Sequence, residues 1–498
     1  MPTFSPQPPD NEESDRPRGG PTENRPGPAR REQEERSGAK GRGEGRTSDP
    51  LRIADALASV GRTVPQRIAG RVTELTGLVL RATAPGARVG ELVEIERHSE
   101  GPSSSDPPMP LLAEVVGFRG EEVVLLPLGT PHGVGPASVV RPLGRPFTIQ
   151  VGPPLLGRVL DAYGEPIDGG PSLVPASADL FPYPVERDAP EPLRRRRITE
   201  ALSLGLRAID GCLTVGQGQR LGLFAGPGQG KTTLLGQIAR NTDADVTVIG
   251  LIGERGREVR DFLDTQLDPG ARKRTVVVCA TSDQPPLLRI KAALAATTMA
   301  EYFRDRGKRV LLLMDSLSRI ARAQREVGLA AGELPARQGY PPSVFALLPR
   351  LLERTGQAEF GSITSVCAVL VTGSGEEGED IIAEEVRATL DGHIELSREL
   401  SERGHHPAID ILRSLSRLMD DLVDAPHRRA AARVREVLAI VARQRDLLLL
   451  GAYQRGSDPA TDAALDLLPT VEAFLRQERS DRSDPAETRR RLLALFRT

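Results

Sequence analysis

A glycine-rich turn placed between an apolar run and a helix start narrows the choice of fold more than any other feature of this chain. Arg220 to Phe224 reads as a buried strand, Ala225-Gly226-Pro227-Gly228-Gln229-Gly230-Lys231-Thr232 follows it, and Leu234 opens an apolar helical pattern. Glycines let the backbone wrap so tightly that its N–H groups and the helix N-terminus face phosphate oxygens. Lys231 then reaches the β and γ phosphates of a nucleotide, and Thr232 is placed to ligate magnesium. Gly226, Pro227, Gly228, Gln229, Gly230, Lys231, Thr232 and Thr233 are therefore the candidate nucleotide-binding residues. The first position is Ala225 rather than glycine, a departure from the bare pattern that leaves strand, loop and helix in the required order.

Such a loop belongs to a parallel sheet, and the chain supplies one. Near-continuous apolar runs recur at Arg220 to Phe224, Val246 to Ile252, Thr275 to Ala280, Val310 to Met314 and Thr364 to Val371, each separated by enough chain for a crossover helix. The run Val310 to Met314 ends in Asp315, the carboxylate expected to hold the magnesium hydration shell. The run Val246 to Ile252 leads into Gly253-Glu254-Arg255-Gly256-Arg257-Glu258. Ligands in such sheets bind beyond the carboxyl ends of the strands, so a glutamate here can orient the water that attacks the γ phosphate. Spacing alone does not choose between Glu254 and Glu258.

The 498 residues allow roughly three domains at about 150 residues each. Residues 1–50 are dense in Pro, Gly, Glu, Arg and Ser and read as a disordered extension. Residues 51–147 carry short β-favouring runs, Ala69 to Leu80, Glu91 to Glu96, Ala113 to Val116 and Val123 to Leu128, which predict a small β-barrel with Ser99 to Pro108 as a polar loop. Residues 148–418, which carry the glycine-rich loop and the apolar runs, are expected to form a P-loop ATPase domain. In residues 419–498 the strand signals stop: Val434, Val437, Leu438 and Val441 fall on one helix face, and Asp484-Pro485-Ala486-Glu487 has the form of a helix start. The fold class is thus α/β, a RecA-like P-loop core preceded by a β-barrel and followed by helices.

Charge and composition weigh against other classes. Lys+Arg 66 against Asp+Glu 68 leaves a net charge of −2, so the chain as a whole is not strongly basic, and aromatics make up 3% with no Trp, so stacking platforms for nucleic acid are scarce. Arg194 to Arg197 is a short basic run that reads as a solvated face, with partner contact the sharper alternative. Cys212, Cys279 and Cys367 fit neither a disulfide framework nor a zinc site. The start MPTFSPQPPD lacks a secretory pattern and no stretch reaches about 18 apolar residues, so a soluble cytoplasmic protein is expected.

Further motifs carry a family resemblance. Gly205-Leu206-Arg207-Ala208-Ile209-Asp210-Gly211, Val215-Gly216-Gln217-Gly218-Gln219-Arg220, Gly250-Leu251-Ile252-Gly253-Glu254-Arg255-Gly256-Arg257-Glu258, Asp315-Ser316-Leu317-Ser318-Arg319, Gly339-Tyr340-Pro341-Pro342-Ser343 and Leu390-Asp391-Gly392-His393-Ile394 follow in colinear order. Together they resemble the hexameric ATPases of type III secretion and flagellar export, relatives of the rotary ATP synthase catalytic subunit. The resemblance covers roughly residues 65–478. It implies Glu254 as the catalytic carboxylate, Arg255 and Arg319 as supports of the γ phosphate site, and Arg387 as an arginine finger given to the next subunit of a homohexamer. By pattern alone, Arg387 reads as a helix-surface ion pair with Glu384.

The resemblance also implies ATP and Mg2+, and partners: a central stalk protein meeting the loop Gly332 to Tyr340, a peripheral stator or regulator, an export gate and chaperone–substrate complexes. It places the ring on the inner-membrane face of the secretion apparatus, and the charge balance and few aromatics lead to the expectation that no nucleic acid is bound. Where the family commonly has a Tyr packed on adenine, this chain reads His405-His406-Pro407-Ala408-Ile409-Asp410, so His406 is expected to face the base. The leading reading is the ATPase of an injectisome. Alternatives are the flagellar counterpart, a rotary ATP synthase catalytic subunit, a hexameric RNA translocase, and a non-enzymatic nucleotide-binding subunit, which would be expected to lack Lys231 or Glu254.

Overall fold

The computed structural model describes residues 68–98, 109–173, 179–371 and 380–496. The extension over residues 1–50 and the loop Ser99 to Pro108 expected from sequence lie outside them. Six strands close an antiparallel barrel: β1 (Gly70–Thr76), β2 (Val79–Ala82), β3 (Glu91–Ile95), β4 (Leu111–Arg119), β5 (Glu122–Pro127) and β6 (Val139–Pro146), in the order β1-β2-β5-β4-β3-β6 with β6 returning to β1. Alternation fills its interior with Leu80, Val93, Ile95, Leu111, Val115 and Leu125. Two expectations change here. The run Ala69 to Leu80 is a hairpin, broken at Gly77, whose φ of 61° favours a residue without a Cβ. A sixth strand, β6, also appears where Pro142 and Pro146 mask the β signal.

A short ribbon of β7 (Thr148–Val151) and β9 (Phe181–Pro184) leads into the core sheet, to which β8 (Val159–Leu160) adds an edge. The other members are β10 (Arg220–Ala225), β11 (Val246–Glu254), β12 (Thr275–Thr281), β13 (Arg309–Asp315), β14 (Gly356–Gln357), β15 (Ser362–Leu370), β16 (Gly392–Glu395) and β17 (Leu415–Ser416). The sheet order is β17-β16-β10-β15-β13-β11-β12-β8, with β14 pairing β15 off this path. The run from β16 to β8 is parallel. Its carboxyl ends therefore all open on one side, where a ligand site forms.

Helices, numbered here as they are needed, cover both faces. They are α1 (Lys231–Asn241), α2 (Gly256–Thr265), α3 (Pro286–Arg304), α4 (Leu317–Ala330), α5 (Ile381–Thr389), α6 (Ala425–Arg443), α7 (Pro459–Leu475) and α8 (Pro485–Ala494). Val248, Ile252, Val276 and Val278 share one core with Leu288, Ala292 and Ile320 of α3 and α4. Ile249, Leu251 and Val277 turn to the other face, against Leu234 and Ile238 of α1 and, beyond them, Val434, Val437 and Phe474 of the C-terminal helices. Burial on both faces is why these strands read as continuous apolar runs. The expected helix start at Asp484 is present: its carboxylate accepts from the N–H groups of Ala486 and Glu487, with Pro485 in the first turn.

Barrel and core sheet are joined by a charge cluster around the buried Lys291 and Glu114. Lys291 of α3 reaches Glu114 of β4 and Glu186, each at 2.7 Å. The three cysteines are free and buried, and burial pushes the Cys212 and Cys367 thiols up to about 12. Among the described residues, no helix is long and apolar enough to cross a membrane.

Candidate nucleotide site

The loop after β10 is shaped by its glycines. Gly228 and Gly230 have φ of 75° and 86°, and a Cβ at either would meet nothing within 4 Å, so backbone conformation and not crowding requires glycine there. Gly230 caps α1 without any side-chain hydrogen bond, which leaves the first N–H groups of the helix to an external acceptor. The Gln229 side-chain oxygen accepts from the Gly226 N–H at 2.7 Å and braces the loop from within. Thr232 stands exposed in the first turn of α1.

Lys231 connects this loop to two neighbouring strand ends. Its ammonium donates to the Asp315 carboxylate at the end of β13 and lies 3.4 Å from Glu254 Oε1 at the end of β11. Glu254 is brought there by a break in register: Ile252 pairs with Ala280, but Glu254 pairs with Thr281, a bulge that re-aims the side chain. Gly253 within that bulge has a φ of 72°, and a Cβ there would come 3.0 Å from the Arg319 side chain. Arg319, from α4, donates to the Gly253 carbonyl and to Glu254 Oε2, the latter at 2.9 Å.

Burial separates the two glutamates that spacing left equivalent. Glu254 is 6% exposed and touches Lys231, whereas Glu258 lies outward on α2. Burial raises the Glu254 carboxyl to about 7; a hydrogen bond with Glu258 and the charge of Asp315 push the same way, against Lys231 and Arg319. That same hydrogen bond lowers Glu258, the more exposed of the two.

The remaining predicted residues divide. Arg255 points to the surface and pairs with Glu258 at 3.5 Å, away from Lys231 and Asp315 in the bonding pattern. Arg387, on α5, has its guanidinium 4.7 Å from the Phe224 ring centroid and 3.7 Å from Glu395. His406 lines a cleft of about 520 Å³ beside the loop, together with Gly228, Gly230, Thr233 and Pro407. Its neighbour His405 is buried and held down to about 4 by burial first and then by the charge of Arg476. Of the basic run, Arg195 turns into the fold and donates to the carbonyls of Thr355 and Glu353, so it is in part structural rather than a solvated face.

Sequence reasoning missed one wall of this cleft. Arg476, Gln477, Glu478, Arg479 and Asp481 line it from the segment between α7 and α8. No local motif marks them, since only the packing of the C-terminal helices brings them to the loop.

The donor set fits magnesium: the exposed Thr232 hydroxyl and the Asp315 carboxylate are hard oxygen ligands, and this ion is usually held by one or two protein oxygens together with substrate phosphates and water. A glycine-rich strand-to-helix loop, a strand-end carboxylate beside its lysine and a buried glutamate on the adjoining strand have the form of a P-loop ATPase core of the RecA type.

The comparisons place it more narrowly. The model of the ATP synthase alpha/beta family nucleotide-binding domain matches residues 205–416, and that of the T3SS EscN ATPase C-terminal domain matches residues 423–494. A type 3 secretion system ATPase of Pseudomonas syringae pv. syringae is 49% identical over 432 residues, which is 86% of this chain and 94% of that protein. A flagellum-specific ATP synthase of Bacillus subtilis is 46% identical over 408 residues, 82% of this chain and 90% of its own. The assembled ATPase EscN from the type III secretion system of enteropathogenic E. coli matches with a TM-score of 0.78 at 44% identity, covering 86% of this chain and 99% of EscN. The chain belongs to the family of type III secretion and flagellar export ATPases.

Proposed function

We propose that this chain is the ATPase of an injectisome-type protein export apparatus, a cytoplasmic homohexamer at the inner-membrane face whose hydrolysis of ATP drives chaperone release and substrate delivery. The observation that carries the catalytic part is the convergence of Lys231, Glu254, Asp315 and Arg319 at the carboxyl ends of β10, β11 and β13. Lys231 exchanges its two carboxylates for the β and γ phosphates when nucleotide arrives. The N–H groups of the loop and of the first turn of α1 hold the phosphate oxygens. Thr232 and Asp315 are the residues that would hold magnesium, which would supply neutralisation of the phosphate charge. Glu254 orients the attacking water, and Arg319 fixes the Glu254 carboxylate for that task.

Arg387 serves the neighbouring subunit's site as a finger in trans, which makes turnover depend on assembly. EscN has been solved in complex with its central stalk EscO; by that likeness the loop from 332 to 340, with Leu334 82% exposed, meets a stalk protein here. The C-terminal helices are the surface for stator, export gate and chaperone–substrate complexes. The flagellar reading has its own support, since a flagellum-specific relative from Treponema pallidum is 48% identical over 419 residues.

The deciding experiment follows ATPase activity per subunit against protein concentration, with wild type and Arg387→Ala in parallel. Activity that climbs with concentration and is lost in Arg387→Ala supports the composite site. Concentration-independent activity that survives the substitution removes Arg387 from the mechanism.

A further inference from the structure

The segment joining α7 to α8 is tied to the phosphate-loop helix one residue after another. Gln237, Arg240 and Asn241 of α1 donate to the main-chain carbonyls of Glu478, Arg479 and Asp481, at 3.0, 2.9 and 2.9 Å. Gln477, 4% exposed, is committed on every side. Its amide donates to the carbonyls of Gly205 and Asp481 at 2.9 and 3.0 Å, its side-chain oxygen accepts from Arg207 N–H at 2.9 Å, and its own N–H donates to the His406 carbonyl at 2.9 Å. Arg476 donates to His405 Nδ1 at 3.3 Å, fixing the ring beside it. The strap and the His405-His406 turn are thereby one assembly, and both line the cleft next to Gly228 and Thr233.

The phosphate loop needs none of this to hold a triphosphate, because its N–H groups and Lys231 are local to β10 and α1. The strap lines the part of the cleft beyond them, where a nucleoside would extend. We propose that Gln477 and Gln237 are positioning residues that hold the 476–481 strap and His406 as a wall for the nucleoside, so that affinity for ATP, but not for its polyphosphate part, depends on how the C-terminal helices seat. This rests on the nucleotide site proposed above. The side-chain amide of Gln477 is fully used within the protein, so its part is to hold the strap in place.

The test uses the full chain with Gln477→Leu and Gln237→Met, two near-isosteric changes on opposite sides of the same tie. Binding of ATP and of inorganic tripolyphosphate is measured by titration calorimetry with magnesium, alongside KM and kcat. With one or two net hydrogen bonds lost, the ATP Kd and KM rise roughly tenfold in both variants, while the tripolyphosphate Kd stays within about twofold and kcat falls far less than affinity. An unchanged ATP Kd in either folded variant overturns the inference, and so does a tripolyphosphate loss equal to the ATP loss, which would mean a merely loosened fold. Lys231→Ala separates the two levels: it weakens both ligands if the phosphate site is assigned correctly, and if it weakens neither, the nucleotide reading itself fails. Should Gln477→Leu not fold, Gln237→Met carries the same comparison.

Discussion

Replacing Glu254 by Gln keeps the shape of the site while removing one charge, and it has two separable consequences. The first is catalytic. A positioned base or water-orienting carboxylate contributes about 10²- to 10⁴-fold, so hydrolysis falls by that factor while nucleotide binding through Lys231 and the loop persists. The second is on stability. The Glu254 carboxyl is raised from 4.5 to about 7, chiefly by burial, so folding favours its protonated form. That contribution is fully present below pH 4.5 and is lost as pH rises through about 7. A rise of this size corresponds to roughly 3 kcal/mol against the fold at pH 8, an upper figure because Glu258 shares the proton.

Gln cannot ionise. Glu254→Gln is therefore close to neutral for stability at pH 4.5 and stabilising at pH 8, even though Lys231 and Arg319 each lose one carboxylate contact. Lys231 keeps Asp315, and Arg319 keeps the Gly253 carbonyl. Calorimetric melts of wild type and variant at the two pH values, with an ADP-release assay at pH 8, read both effects. Near-normal hydrolysis would sink the catalytic assignment. A variant less stable than wild type at pH 8 would show that the ion contacts outweigh the burial cost, and the electrostatic argument would be wrong.

Three further outcomes follow from the same geometry. His406→Ala removes the side chain that faces the cleft, and KM for ATP should rise several-fold with kcat held; an unchanged KM would withdraw His406 from the base site. Lys291→Met leaves the buried Glu114 carboxylate without its cation, whereas Glu186 is half exposed, and denaturant melts should show a loss of about 3 kcal/mol, with Glu114→Gln in the same chain recovering most of it; no loss would mean that the barrel and the core sheet are not held by this cluster. Gly253→Ala forces a Cβ to within 3.0 Å of Arg319 at a φ of 72°, so turnover should fall along with stability, and a fully active variant would refute the role given to the bulge.

The amino-acid sequence determined the parts whose code is local. A strand buried on both faces must be apolar throughout, so β10, β11, β12, β13 and β15 stand out as runs. A loop that wraps a phosphate needs glycine at Gly228 and Gly230, and lysine next in line. The helix start at Asp484 is equally local, a cap and a proline one residue apart. Family likeness added what spacing could not, the choice of Glu254 over Glu258.

Tertiary structure decided everything that depends on which side of a surface a residue falls. Glu254 and Glu258 are one helical turn apart in sequence, and only the bulge at Gly253 and the packing of α4 bury the first and expose the second. Arg255 belongs to the same motif as Glu254 yet faces solvent. Arg387 is carried by α5, which lies so that its guanidinium packs on Phe224. The strap from 476 to 481 carries no motif because its work is done by main-chain carbonyls, which every residue has; it becomes part of the site only where it is bonded to Gln237, Arg240 and Asn241 of α1. Local propensity and pattern fix the backbone of each element, whereas burial, charge pairing and the shape of a cleft arise only when distant elements share a surface.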